Sequence, residues 1–285
     1  MSANREHFSV GNIQCTAIND GTFFYPPSWF FSNVPQEQLE STLGDHNLSL
    51  TQVVSPYTCL VIKTGEHTVL VDTGADGLAP TTGDLLKNLK AEGITPEEIT
   101  TVVLTHAHPD HIGGVLDTSG KPAFANARYV MSRTEWDFWT SKPDLRATGM
   151  DDHMKELLIH CALKNLPPLK PQIELLEAEK EIAPGIHAIS APGHTPGHIA
   201  LVVSSANEQL LHIADAALHP IHLEHPAWRN VFDLSEDGAV MTRQRLLDRA
   251  AADNVNVLAY HFPFPGLGRV TSRGNAWRWE PLAFD

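Results

Sequence analysis

The segment Thr105–Gly114, with the sequence THAHPDHIGG, decides the fold of this chain. It follows the apolar run 101–105, which predicts a buried strand. A loop at a strand end can turn several side chains toward one point without breaking the hydrogen bonds of a sheet. The segment offers His106, His108, Asp110 and His111, and this mixture of imidazole and carboxylate suits Zn²⁺ and also Mn²⁺, Fe²⁺ or Co²⁺. The spacing therefore predicts a metal site at this strand end.

Four candidate ligands this close together cannot all reach one ion, so we predict two divalent ions about 3.5 to 4 Å apart. Further ligands are available after later apolar runs, at His194, Asp215 and His261. Two such ions lower the pKa of a shared water from 15.7 toward about 7 and polarise the bond under attack. The chemistry predicted is hydrolysis by a metal-bridging hydroxide, with Asp110 acting as metal ligand and proton shuttle.

Alternating strands and helices indicate the layers around this site. Two runs of strands, each followed by helices, predict an α+β fold in which two mixed sheets pack face to face with helices outside. In the first run we predict a strand over 8–18, with a turn at 19–21. We predict a single domain over 1–285, with an aromatic N-terminal loop at about 22–55 and a helical insertion at about 134–170.

Composition excludes several classes of protein. The chain has 285 residues, 42% of them hydrophobic, and a net charge of −14, which disfavours binding to nucleic acid. Its three cysteines are scattered and predict neither a disulfide framework nor a thiolate site. We find no apolar run long enough for a membrane span and no signal peptide, so a cytoplasmic location is predicted.

The sequence resembles the metallo-β-lactamase superfamily. The resemblance rests on Val71–Gly74, Thr105–Gly114, Pro192–His198, His212–Asp215 and His261. It implies an αββα sandwich with the metals at one edge of the sheets. It also implies that one metal is held by His106, His108 and His194, that the other is held by Asp110, His111 and His261, and that Asp215 bridges them. No cysteine occupies a ligand position, which makes antibiotic hydrolysis less expected.

Within the superfamily, the chain resembles the branch of methyl parathion hydrolase and related lactone and aryl-ester hydrolases. This resemblance is carried by residues 19–22 and 261–268. We therefore expect cleavage of a small apolar lactone or aryl ester, with phosphotriester cleavage as a further candidate activity. An acyl-homoserine lactonase is the alternative, although many of these enzymes carry a tyrosine after the bridging aspartate and residues 216–232 contain none. An alternative of another class is a catalytically silent, metal-containing binding or sensor protein.

Other residues are candidates for supporting roles. Asp72 and His198 are expected to orient metal ligands or to serve as structural groups. Residues 23–31 include six aromatics, which suit core packing, a subunit contact or the wall of an apolar substrate pocket. The resemblance favours a homodimer. The pocket candidates are Phe23, Phe24, Trp136, Trp139, His219 and Phe264.

Overall fold

The computed structural model describes residues 4–146 and 148–284. The first seven strands are β1 (Arg5–Val10), β2 (Ile13–Tyr25), β3 (Val53–Thr64), β4 (His67–Val71), β5 (Thr101–Val103), β6 (Arg128–Ser132) and β7 (Ile173–Leu176). The next seven are β8 (Lys180–Ala183), β9 (Ile186–Ser190), β10 (Ile199–Ser205), β11 (Glu208–Ala214), β12 (Asn256–Ala259), β13 (Leu267–Arg273) and β14 (Ala276–Pro281). The helices are α1 (Pro27–Phe30), α2 (Gln36–Asp45), α3 (Leu85–Ala91), α4 (Pro109–Ile112), α5 (Arg133–Thr140), α6 (Asp152–Asn165), α7 (Ile221–Glu224) and α8 (Glu236–Asp253), with 3₁₀ turns at Pro96–Glu98, Gly113–Val115 and Pro167–Leu169.

Each set of seven consecutive strands forms one mixed sheet. The first sheet has the spatial order β1 to β7. Its strands pair antiparallel from β1 to β4 and parallel from β4 to β7. The second sheet has the order β14-β13-β12-β11-β10-β9-β8, and β11 and β12 form its parallel pair. The two mixed sheets confirm the predicted α+β class.

The sheets pack face to face because their strands are apolar on both sides. In β3, Leu60 and Ile62 pack into the core between the sheets, whereas Cys59 and Val61 face the core beneath the outer helices. The opposite side of the second sheet packs against α8 through residues such as Leu246. These three apolar layers give the αββα sandwich. Among the described residues, no helix is long and apolar enough to cross a bilayer.

The predicted strand and turn near the N-terminus are wrong in detail. The run 8–18 is divided between β1 and β2 by a hairpin at Gly11, whose φ of 55° suits glycine. The predicted turn at 19–21 lies inside β2, where the register against β3 shifts in a bulge. The carboxylate of Asp20 accepts hydrogen bonds from the backbone of Ala75, Gly83 and Leu85. Tertiary partners therefore satisfy this polar triplet, and no chain reversal is needed.

The segment predicted as an aromatic loop at 22–55 is mostly regular structure. It contains the end of β2, the helices α1 and α2, and the start of β3. Its aromatic rings pack on one another, with Tyr25 5.0 Å from Phe30 and 5.8 Å from Phe232 between ring centroids. This packing orders the segment. The helical insertion predicted at about 134–170 contains α6, the turn Pro167–Leu169 and all but the first residue of α5.

Candidate metal centre

The candidate ligands come together at one edge of the two sheets. Asp72 follows β4 and the 105–114 segment follows β5, and these strands are parallel, so both carboxyl ends lie at the same edge. Asp215 follows β11 and His261 follows β12, which are likewise parallel. The two edges are joined by a hydrogen bond from the Ile199 amide to the Thr105 carbonyl, 3.0 Å long. Strand topology therefore brings residues that are far apart in the sequence to one place.

In the part of the chain that the structure describes, three buried groups of possible metal ligands overlap, and one of them, His106, His111 and Asp215, shares a residue with each of the other two. His106, His108 and His194 make the three-histidine cluster, and their ligand atoms lie within 4.8 Å of one another. The aspartate cluster, made of Asp110, His111 and His261, meets the same distance limit. Both sets match the groups that the family resemblance implies.

Asp215 lies between the two clusters. Its Oδ2 atom is 3.4 Å from His194 Nε2 and 3.0 Å from His261 Nε2. Its Oδ1 atom is 3.3 Å from His111 Nε2. Oδ2 therefore lies near both clusters, and Oδ1 faces the aspartate cluster. This is the position expected of a bridging ligand.

The unpaired atoms of this site fit divalent cations. His106 Nε2, His111 Nε2 and Asp215 Oδ1 are buried and have no hydrogen-bond partner. Buried polar atoms without partners are costly, and a cation at each cluster would satisfy them. The donor set of histidine nitrogens and aspartate oxygens is one that such ions bind. The clusters support two divalent metal ions.

The pKa values of two candidate ligands shift in opposite directions. Burial lowers the pKa of His111, but the carboxylates of Asp215 and Asp72 outweigh burial and raise this pKa well above its usual value. Burial and the neighbouring His111 hold the pKa of His106 well below its usual value, which keeps that imidazole neutral. A neutral imidazole is the form that binds a metal.

Partners outside the aspartate cluster hold its rings in place. Asp72 Oδ2 lies 2.8 Å from His111 Nδ1. The same carboxylate accepts hydrogen bonds from the amide and hydroxyl of Thr105, each 2.8 Å long. Ser55 Oγ lies 2.9 Å from His261 Nδ1. Asp72 thus contacts a candidate ligand, and its orienting role stays a prediction, whereas Ser55 was not predicted.

The three-histidine cluster has its own supporting residues. Asp233 Oδ1 lies 2.8 Å from His194 Nδ1, and Asn230 donates a 2.8 Å hydrogen bond to the other carboxylate oxygen. His198 does not join a metal cluster. Its Nε2 accepts the backbone N–H of Asp215 at 3.1 Å, so it positions that residue through the main chain. Asp233 was missed because it precedes α8 and carries only the signal of a helix start.

An apolar cavity of about 290 Å³ opens onto the two clusters. Asp110, His108, His194, Asp215 and His261 form its polar part. Most of the remaining wall is aromatic or aliphatic and comes from β2, α1, α6 and the segments before α7 and α8. The residues of this wall are Phe23, Tyr25, Trp29, Phe30, Leu78, Pro109, His153, Met154, Leu157, Leu158, Leu218 and Phe232.

Of the six predicted pocket residues, only Phe23 lines this cavity in the part of the chain that the structure describes. Phe24 points the other way along β2 and is 45% exposed. Trp136 packs against the core beneath the outer helices, and Phe264 packs against the core between the sheets. His219 is buried, with its ring 5.9 Å from that of Phe31.

Trp139 is also outside the cavity wall. It is fully buried, its ring lies 5.7 Å from that of His108, and its indole donates a 2.7 Å hydrogen bond to Glu135. Sequence pattern could identify these residues as aromatic but could not tell which side of an element each would occupy. The missed wall residues of α6 carried no signal beyond helical periodicity.

Fold and site together define a metal-binding αββα sandwich. The model of the metallo-β-lactamase superfamily matches residues 53–261, and the chain belongs to this superfamily. An N-acyl homoserine lactonase of a Bacillus species is 29% identical over 170 residues, which are 53% of this chain and 59% of that protein. The chain thus matches less than two thirds of the length of this relative.

Two solved structures resemble the whole described fold. AidC, a dizinc quorum-quenching lactonase in complex with the product N-hexanoyl-L-homoserine, has a TM-score of 0.94 and 29% identity. The alignment covers 99% of this chain and 98% of AidC. The hydrolase AbOPH of the β-lactamase superfamily has a TM-score of 0.92 and 27% identity, over 100% of this chain and 99% of that one.

Proposed function

We propose that this protein is a dinuclear zinc-dependent lactonase that opens the ring of N-acyl homoserine lactones or lactones of similar size and polarity. The observation that carries the proposal is the position of both ligand clusters at the polar end of an apolar cavity. A lactone ring would lie at the clusters, and an acyl chain would lie along the apolar wall. The comparison with a dizinc lactonase supports the same assignment.

The donor set also supports the choice of zinc. Histidine nitrogen and aspartate oxygen are ligands that zinc binds in catalytic sites. When bound, two such ions supply a nucleophile at neutral pH and polarise the carbonyl under attack. Asp110 is 8% exposed and faces the cavity, so its carboxylate can hold a proton beside the ring oxygen that leaves. No serine or cysteine nucleophile is required.

Tyr25 lines the cavity and carries a hydroxyl group. Its hydroxyl oxygen is 2.6 Å from that of Tyr57, which lies behind it. Burial and the charge of Asp110 raise the pKa of Tyr25 well above its usual value, so the phenol stays protonated. If Tyr57 donates within the pair, the hydroxyl hydrogen of Tyr25 is free to donate to a substrate oxygen. In that arrangement Tyr25 supplies a tyrosine hydroxyl near the clusters, although it comes from β2 and not from residues 216–232, and this supports the acyl-homoserine lactonase assignment.

We predict that Tyr25→Phe lowers kcat/KM for N-hexanoyl-homoserine lactone by about 10-fold to 100-fold. This range corresponds to a lost hydrogen bond to an oxygen that gains charge, about 1.5 to 3 kcal/mol. Tyr57→Phe is the matched control, because Tyr57 does not line the cavity and its loss should cost only a few-fold. Steady-state kinetics on both variants test this, and equal losses would contradict a substrate contact by Tyr25.

Trp29 tests the placement of the acyl chain. Each methylene buried against the wall contributes about 0.8 kcal/mol, so KM should fall about four-fold per added methylene until the cavity is full. Trp29→Ala removes part of the wall and is expected to flatten this dependence between butanoyl and octanoyl lactones. Phe24→Ala, an exposed aromatic on the neighbouring strand, should leave it unchanged. If Trp29→Ala keeps the wild-type slope, the acyl chain lies elsewhere.

The proposal is tested by measuring kcat/KM for three substrates under identical conditions with zinc-loaded protein. These are N-hexanoyl-homoserine lactone, dihydrocoumarin and methyl parathion. We expect the homoserine lactone to be preferred and methyl parathion to be slow. Preference for dihydrocoumarin would favour the aryl-lactone or aryl-ester function, which the many aromatic residues of the wall also suit. If two metals bind and none of the three is cleaved, a catalytically silent binding protein is favoured. The homodimer and the cytoplasmic location stay predictions.

A further inference from the structure

Glu135 is a buried carboxylate that none of the roles above uses. It lies near the start of α5, directly after β6, and it is 0% exposed. Since β5 and β6 are parallel neighbours, this position brings Glu135 beside the loop that follows β5. Burial raises the pKa of this carboxyl group, although its hydrogen bonds act in the opposite direction. A buried acid of this kind needs several donors to stay in place.

The hydrogen bonds of Glu135 join two separate ligand loops. Its Oε1 atom accepts from the backbone N–H of Ala107, between His106 and His108, at 3.0 Å. Its Oε2 atom accepts from the Thr195 hydroxyl at 2.7 Å and from the backbone N–H of Gly197 at 2.9 Å. Thr195 directly follows His194. Each carboxylate oxygen therefore holds one of the two loops that carry the three-histidine cluster.

Two further contacts strengthen the connection. Trp139, one turn along α5, donates its indole N–H to Glu135 Oε1 at 2.7 Å and places its ring beside that of His108. A side chain at Gly197 would have its Cβ 2.2 Å from the backbone nitrogen of Glu135, so the loop lies directly against the helix. All four hydrogen-bonding partners are donors. Only a group with acceptors on both oxygens, an ionised carboxylate, can satisfy them together.

We propose that Glu135 is a positioning residue for one of the two metals, which it serves by fixing the His106–His108 loop and the His194 loop to each other. The inference rests on the proposed function, because it assumes that the clusters bind metal. The segment that carries His106 and His108 continues into α4, which carries Asp110 and His111. The hydrogen bonds of Glu135 nevertheless end at Ala107, Thr195 and Gly197, beside the ligands of the three-histidine cluster. The rings of the aspartate cluster are held by Asp72 and Ser55 instead.

Glu135→Gln tests this division. An amide presents an NH₂ group in place of one oxygen, so two of the four donors lose their acceptor whichever way the amide turns. Loss of a partner behind the ligands typically costs about 10-fold to 100-fold in metal affinity. The control is Asp137→Asn, which removes the same charge from an exposed position on the same helix.

The experiment is a chelator titration of the zinc-loaded protein, with the zinc left on each chain measured by mass spectrometry. In Glu135→Gln, one zinc is expected to leave at an about 10-fold to 100-fold lower chelator concentration, and the other at the wild-type concentration. Asp137→Asn should follow the wild type. A merely structural role would weaken both metals together or neither, and either result overturns the inference.

A second variant covers the case in which Glu135→Gln does not fold. Thr195→Val removes one of the four donors and keeps the ionised carboxylate, so one zinc should leave at a several-fold lower chelator concentration. Unchanged release from this variant, with Glu135→Gln also unchanged or unfolded, overturns the inference. Wild-type protein that binds no metal would overturn the proposed function as well. Two tightly bound metals without turnover would contradict the proposed function only, and the release curves would still decide the role of Glu135.

Discussion

Asp110→Asn is expected to lower kcat for lactone opening by about 10²-fold to 10⁴-fold, the range for loss of a positioned proton-transfer group. The carboxylate lies 3.4 Å from His261 Nε2 and faces the cavity, so it can serve both the aspartate cluster and the leaving oxygen. Asparagine keeps the shape and an oxygen ligand but cannot take up the proton.

The measurement is kcat at saturating zinc, with circular dichroism to establish that the variant folds. Asp117→Asn, which removes an exposed charge on the loop after the Gly113–Val115 turn, should keep wild-type kcat. Wild-type kcat for Asp110→Asn would remove this residue from the mechanism. If KM rises and kcat does not change, Asp110 contributes to binding alone.

The second large effect is expected from Asp215→Ala. This side chain contacts histidines of both clusters. Burial raises the pKa of Asp215, but His261 and His111 outweigh burial and hold this pKa well below its usual range. If Asp215 bridges two metals, removing the carboxylate takes a ligand from both of them. It also leaves His111, His194 and His261 without the anion that they face. We expect both metals to bind at least about 10²-fold more weakly and turnover to fall by about 10³-fold or more.

Metal content after dialysis and kcat at saturating zinc measure these two losses separately. Asp248→Asn, on the exposed side of α8, is the control and should bind two metals as tightly as the wild type. Asp215→Ala that keeps both metals would show that the carboxylate does not bridge them. Loss of a single metal would place Asp215 in one cluster only.

The ligands could be predicted from sequence because their signals are local. His106, His108, Asp110 and His111 lie within one turn-forming segment, and His194, Asp215 and His261 each follow an apolar run. The αββα order follows from the same runs, because buried strands are apolar on both faces. The choice of candidates depended on spacing, whereas their division into two sets bridged by Asp215 came from the family resemblance.

The supporting residues and the cavity wall could not be predicted in this way. Asp233, Ser55 and Glu135 act through contacts across many residues of sequence, and each is an ordinary polar residue in its own segment. The prediction of the cavity-wall residues was wrong for a related reason. Phe23 and Phe24 are neighbours on β2, yet only the first faces the cavity, and the bulge at 19–21 that sets this phase depends on tertiary hydrogen bonds to Asp20.

The central claim is that two bound metals make this fold a lactonase. It is tested most directly by titrating metal-free protein with zinc while following the opening of N-hexanoyl-homoserine lactone by acid release. The account predicts no turnover without zinc, a rise with added metal, and a plateau at two equivalents per chain. Turnover by the metal-free protein, or a fully zinc-loaded protein that leaves the lactone intact, would contradict it.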